Sequence, residues 1–384
     1  MRQGLATSLH RLADQLADCV ASETDTSVHE EMVARAVAAQ RAFEIWSEER
    51  VDALLLDIVE TIVEHAEELA RATVEETGMG VVEHKVDKIQ FMSRDVYRTL
   101  AGQPGVGVVH RDEQSQVTEV ATPMGVVLGL IPMTNPAPTL VFKTMICLKT
   151  RNALIASCHR GALEVGNQTG ELIRTVLRRH GAPVDLVQWI RERTSRQVTS
   201  LFMAHKDVSF ILATGGSNMV KAAYSSGTPA IGVGSGNAPT WICADADLEA
   251  AARKVIASKS YDNGILCGSE NHLVVDRSVR RAFIAALKAH GAAVLAPDEA
   301  RRLAAHVIDG QTGYLRRAVL GLSAQRIARN AGIRRDTPIR LLVVPLELDG
   351  LQGPFGDEKL APILSLFTVD GQEEGLAVCK QLLN

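Results

Sequence analysis

The residue best suited to covalent chemistry is Cys267, in the stretch Ser258–Asn271, SKSYDNGILCGSEN. It lies between Gly264 and Gly268 and just before the apolar alternation His272–Val275. A thiol on a glycine-flanked turn can be presented to a ligand, and a substrate can approach backbone that carries no bulk. The competing reading is a small buried hydrophobe, the usual state of a free cysteine. Two other turns suit an anion. Thr214-Gly215-Gly216 opens a helical pattern, where free N–H groups and the helix dipole favour negative charge. Gly232–Gly236, GVGSG, departs from the GxGxxG dinucleotide fingerprint, and tight-turn glycine is the alternative for both.

The elements that would position these residues alternate. Val126–Ile131, Ala153–Ser157, Val184–Ile190, Val208–Ala213 and Ala230–Val233 read as short apolar strands. Helical segments at Thr139–Lys149, up to Arg179, near Thr199 and from Ser217 separate them. Such β-α alternation predicts a parallel sheet with helices on both faces, and ligands at the carboxyl ends of its strands. After Ala238 a second block begins: a helix over Asp247–Ser258, the cysteine stretch, and a strand-helix pair to His290. A mostly helical Asp298–Arg335 follows, then strands at Ile339–Val344 and up to Val369, and a last helix Glu373–Leu383. Ahead of all this, Glu31–Thr99 is helical apart from Glu76–Gly80, ETGMG, whose glycines predict a helix end and a turn. Val106–Glu119 predicts two short exposed strands with a charged tip at Arg111–Glu113. Leu5, Leu9, Leu12 and Leu16 predict an amphipathic N-terminal helix over residues 1–20.

At 384 residues two domains are expected. The boundaries drawn are 1–237, with the hairpin at about 106–121, and 238–384. Hydrophobic residues make up 46% and charged residues 22%, which excludes a disordered chain. With a net charge of -4 and basic residues in scattered pairs, no nucleic-acid footprint is present. The six cysteines, Cys19, Cys147, Cys158, Cys243, Cys267 and Cys379, show no CxxC spacing, and the eleven histidines do not cluster. Neither a metal site nor a disulfide framework is expected, and a reducing, cytoplasmic setting is. No run reaches the ~18 apolar residues of a membrane span, and no secretory signal core is present.

SKSYDNGILCGSEN, ATGGSNMVKAAYSSGTPAIGVGSGNAP from Ala213 and PMGVVLGLIPMTNPAPTLVFK from Pro123 together resemble the aldehyde dehydrogenase superfamily, and within it the branch that forms acyl-coenzyme A. The resemblance runs in the family's order from about Glu31 onward. It implies two doubly wound, Rossmann-like parallel-sheet domains with a small oligomerisation hairpin, and a homo-oligomer. It implies Cys267 as nucleophile and Asn135, in Thr134-Asn135-Pro136, as a donor to the thiohemiacetal oxygen together with the Cys267 N–H. An asparagine capping a turn is the local alternative.

The resemblance further implies a nicotinamide dinucleotide, with Thr214, Gly215 and Gly216 near its phosphates and Glu358 on the nicotinamide ribose. Pro132, Ser157, His159, Arg160 and Gly234 complete the expected cofactor-binding set. Arg160 hints at NADP, while the branch's frequent use of NAD makes NAD the expectation. The hydrolytic members' water-activating glutamate corresponds to Val233, and no carboxylate lies between Lys221 and Asp245. A thioester on Cys267 is then expected to await coenzyme A. Acetaldehyde, propionaldehyde and sulfoacetaldehyde all fit as the small aldehyde. Residues 1–20 can resemble a microcompartment tag, with a first helix docked on its own domain as the alternative. The family's usual segment beyond the Glu358 motif is missing from the sequence, which raises a truncated, interaction-only homologue as a second reading and a hydrolytic enzyme as a third.

Overall fold

The computed structural model describes residues 29–192 and 195–383. The helix expected over residues 1–20 lies outside them. Contacts divide the chain into two compact units. One holds the described residues up to Ala72 and Lys88–Gly234, the other Thr73–Asp87 and the chain from Ser235. The division therefore falls at 234/235 where the sequence reading draws 237/238, and residues 73–87 group with the second unit.

In the first unit, residues 29–43 and Glu48–Glu64 are helical. Ser47 caps the second of these by accepting the Arg50 N–H, and Glu48 and Glu49 oppose the positive end of its dipole. Its buried stripe of Val51, Leu54, Leu55, Ile58, Val59 and Ile62 packs against the helices Pro136–Lys149 and Leu163–Arg179. Each such side chain contributes ~1.5–3 kcal/mol by leaving water. The hairpin pairs β1 (Gly107–Asp112) with β2 (Val117–Ala121) antiparallel, Gly107 opposite Ala121, with Val108, Val109, Val117 and Val120 exposed.

The sheet of this unit comprises β3 (Val126–Ile131), β4 (Ala153–Cys158), β5 (Val187–Trp189), β6 (Val208–Thr214) and β7 (Ala230–Val233). Its order is β5-β4-β3-β6-β7, all parallel. All six residues of β3 are buried, as expected of a central strand covered on both faces. Strand order reverses between β3 and β6, the switch point at which such sheets open a crevice.

The second unit repeats the plan with β8 (Pro239–Ile242), β9 (His272–Asp276), β10 (Ala292–Val294), β11 (Leu341–Pro345) and β12 (Ile363–Val369). The order is β10-β11-β12-β9-β8, again parallel. This is the two-sheet α/β fold expected from the sequence. Three elements differ from expectation. β8, a four-residue edge strand opened by a proline, and β10, of three residues, are too short to show a periodicity. Within Asp298–Arg335 only Pro297–Val307 and Ala324–Asn330 are α-helical. Between them the Asp309 carboxylate accepts the Gln311 and Thr312 N–H groups, a local turn that competes with helix.

Candidate active site

In the second unit, Cys267 is the one exposed free cysteine among the described residues; Cys147 is buried and Cys158, Cys243 and Cys379 are half-buried. The reading as a small buried hydrophobe therefore does not describe it. It sits in a turn closed by the Leu266 carbonyl, which accepts the Ser269 N–H at 3.0 Å and the Ser269 hydroxyl at 2.8 Å. No hydrogen bond occupies the Cys267 N–H among the described residues, which leaves it able to face an oxyanion.

Just ahead of this turn, Asp262, Asn263 and Gly264 adopt left-handed backbone in succession, with φ of 47°, 54° and 73°. Two consecutive non-glycine residues in this region are costly and persist only where their surroundings over-determine them. Residues 80–85 supply those surroundings. Asp262 is fully buried; its Oδ1 accepts the Val81 N–H at 2.7 Å and its Oδ2 the Lys85 ammonium at 3.1 Å. The Asp262 N–H donates to His84 Nδ1, and the Tyr261 hydroxyl donates to the His84 carbonyl while its ring stacks on the imidazole. Asn263 donates to the carbonyls of Gly80 and Gly321. A Cβ on Gly80 would lie 2.1 Å from Asp262 Oδ1, so only glycine fits beneath the carboxylate. In ETGMG the sequence predicts only a helix end and a turn, with His84 and Lys85 just beyond it. In the structure they form the mould of the turn that presents the cysteine.

Gly236 joins the second expected residue to this site. A Cβ there would stand 2.9 Å from the Cys267 carbonyl oxygen, and the Gly236 N–H donates to Glu358 Oε1 at 3.1 Å. Burial raises the Glu358 pKa against the opposing pull of the Gly236 N–H and the Ser235 side chain. The loop bearing Glu358 is tied down by buried amines that sequence reasoning missed. Lys259 Nζ donates to Ser269 Oγ, Asn271 Oδ1 and the Lys359 carbonyl, an acceptor for each of its three protons. Lys359 Nζ donates to the carbonyls of Phe355 and Asp357. Burial works against both charges, pulling Lys259 to about 7 and Lys359 well below the ordinary lysine value. Asn237 donates to the carbonyls of Gly356 and Leu382, so its Oδ1 must accept the proton on His272 Nε2. His272 stays neutral, its pKa depressed to about 2 by burial and by the two lysines. A lysine placed directly before the apolar run that becomes β12 was the available signal.

In the first unit, the other expected residues gather at the carboxyl ends of the central strands. Pro132 and Asn135 follow β3; Ser157 is the penultimate residue of β4, and His159 and Arg160 follow that strand. Thr214 ends β6, Gly215 and Gly216 follow, and Gly234 follows β7. The Gly215 N–H is taken up by the Val233 carbonyl at 3.1 Å, so what this turn offers an anion is the start of the helix Ser217–Tyr224, of which Gly216 is the N-cap. Arg160 is exposed, and His159 Nδ1 accepts the Gly161 N–H. Lys143, buried, bridges the ends of β3 and β6 by donating to the carbonyls of Leu130 and Leu212. Burial lowers its pKa to about 7.

Asn135 stands at the N-cap of Pro136–Lys149, yet its side chain caps nothing. Its Oδ1 instead accepts from Lys88 Nζ. The capping alternative weighed for this residue therefore does not apply.

This arrangement matches known proteins in sequence and fold. The aldehyde dehydrogenase family profile matches residues 12–309. The bifunctional aldehyde-alcohol dehydrogenase of Escherichia coli is 36% identical over 352 residues, 92% of this chain and 39% of that protein. The chain thus spans about two fifths of the length of that relative. An acetylating aldehyde dehydrogenase from Geobacillus thermoglucosidasius superposes with a TM-score of 0.89 at 38% identity, covering 94% of this chain and 79% of that one. A propionaldehyde dehydrogenase from Rhodopseudomonas palustris, solved with bound coenzyme A and an acylated cysteine, superposes with a TM-score of 0.82 at 26% identity, covering 93% of this chain and 80% of that one. A family match over residues 12–309, with solved relatives that superpose over more than nine tenths of the chain, makes the chain a member of the aldehyde dehydrogenase family.

Proposed function

We propose that the protein is a coenzyme A-acylating aldehyde dehydrogenase, converting aldehyde, NAD(P)+ and coenzyme A to acyl-coenzyme A, NAD(P)H and a proton. The observation that carries this reading is the exposed Cys267, whose N–H takes no hydrogen bond among the described residues, just after the moulded left-handed segment Asp262–Gly264. Cys267 attacks the aldehyde carbonyl as the thiolate, and its own N–H and the Asn135 amide donate to the oxygen that becomes negative. The dinucleotide, when bound, supplies the hydride acceptor. The strand-end residues Pro132, Ser157, His159, Arg160, Thr214, Gly216 and Gly234 suit it, since they lie at a switch point and include a helix start and a cation. Gly215 serves there as the turn that delivers Gly216. Glu358, half-buried and oriented by Gly236, holds the ribose. NAD is the expected dinucleotide, with Arg160 the residue that would accommodate a 2′-phosphate.

Val233 stands where a water-activating carboxylate would be needed, so the thioester on Cys267 awaits a thiol. The relatives described as acetylating, and as solved with coenzyme A on an acylated cysteine, support that reading. Short aldehydes are the proposed substrates and a homo-oligomer built through the β1–β2 hairpin the proposed assembly; a microcompartment setting remains the alternative to a free enzyme in the cytoplasm. The decisive assay follows NADH formation from acetaldehyde with and without coenzyme A, beside Cys267→Ala. NADH formed only with coenzyme A, and lost in the variant, is expected. Turnover with water alone would overturn the acylating assignment, and turnover by Cys267→Ala would overturn the nucleophile.

A further inference from the structure

We propose that Lys88 is a positioning residue for the oxyanion donor: its ammonium fixes which end of the Asn135 carboxamide faces the reacting oxygen. The inference rests on the reading of Asn135 as that donor. A carboxamide can be turned end for end about its last torsion with little change of shape, and only one orientation presents N–H groups to a developing negative charge. Something must therefore choose between the two.

At a helix N-cap the usual device is the helix itself, whose first N–H groups attract the side-chain oxygen. Here that device is absent. Pro136 follows directly, and no N–H of Pro136–Lys149 is bonded to the Asn135 side chain. The backbone is fixed independently, since the Asn135 carbonyl accepts the Thr139 hydroxyl at 2.7 Å and the Thr139 N–H at 3.2 Å. The carboxamide alone is left to be oriented, and Lys88 Nζ donates to its Oδ1. An ammonium has three protons and no acceptor, so it binds the oxygen end and rejects the NH2 end. Lys88 is 8% exposed, which limits the water that could replace Asn135 as its acceptor. The Asn135 Nδ2 protons have no partner among the described residues and remain available to the oxyanion. The same positive charge polarises the amide, strengthening its N–H as a donor when charge develops.

The test is a double-mutant cycle between Lys88→Met and Asn135→Ala, reading kcat and KM for acetaldehyde in the acylating assay. Lys88→Met alone is expected to lower kcat by about 10- to 100-fold with little change in KM, short of the ~10²- to 10³-fold loss typical of deleting an oxyanion donor. In the Asn135→Ala background the same change is expected to cost less than about twofold, because the group it positions is gone. Lys88→Arg, which keeps a donor-only head, is expected to recover at least about tenfold over Lys88→Met. A wild-type kcat in Lys88→Met, or an equal loss in both backgrounds, would overturn the inference and assign Lys88 a merely structural role. If Asn135→Ala itself keeps wild-type kcat, the reading of Asn135 fails first and the inference with it. Should Lys88→Met not fold, the ratio of kcat between Lys88→Arg and Lys88→Gln decides in its place, a ratio near one counting against.

Discussion

Asp262 shows how a side chain outside the proposed chemistry can govern the one proposed to carry it. Its carboxylate, fully buried, meets one backbone N–H and one ammonium from residues 81–85. Removing one partner of such a pair strands the other and costs ~3–5 kcal/mol. Asp262→Ala is thus expected to lose that much stability in denaturant unfolding, while Asp262→Asn, which can still accept the Val81 N–H, loses less. Both should lower kcat, because the left-handed pair before Cys267 loses its restraint. Lys259 gives a prediction with a sign. Its folded pKa of about 7 lies below the ordinary 10.5, so across that window the unfolded chain binds the proton and the folded chain does not. Stability contributed by this residue therefore rises with pH from about 7 towards 10.5, at up to about 1.4 kcal/mol per pH unit. Urea titrations at pH 7 and 9 should show wild type gaining on Lys259→Met by that slope; a pH-independent difference would refute the assignment.

At the scale of elements, the strands and helices that deliver the site were legible because their signals are local. β3, β4, β6 and β9 are apolar runs bounded by turn residues, and the structure places them within a residue or so of where the pattern does. Cys267 and the strand-end positions were legible for the same reason, with the family resemblance adding their roles. The mould around Cys267 was not. Gly80, His84 and Lys85 form an unremarkable helix entry, and only a partner far along the chain gives them meaning. Nor could any pattern reveal Lys88 on Asn135, since a lysine on a helix is ordinarily a solvated residue. Gly80→Ala tests the mould as a unit. With φ of +85° and no room for a Cβ, it should destabilise by ~2–4 kcal/mol and slow alkylation of Cys267 by iodoacetamide.

Taken whole, the chain builds its second unit from two separated pieces, Thr73–Asp87 and the part from Ser235 onward. That discontinuity matters for the order in which the molecule can be made. The groups that hold Asp262 stand 181 and 177 positions before it, at Val81 and Lys85. A ribosome adding ~5–20 residues per second delivers Asp262 roughly 10 to 35 seconds after its partners. Throughout that interval the Asp262 carboxylate is not there for Val81 and Lys85 to close upon, and the segment leading to Cys267 cannot take its shape. Newly made protein can consequently complete its first sheet, whose last strand ends at Val233, before the loop that presents Cys267 has all the groups that shape it.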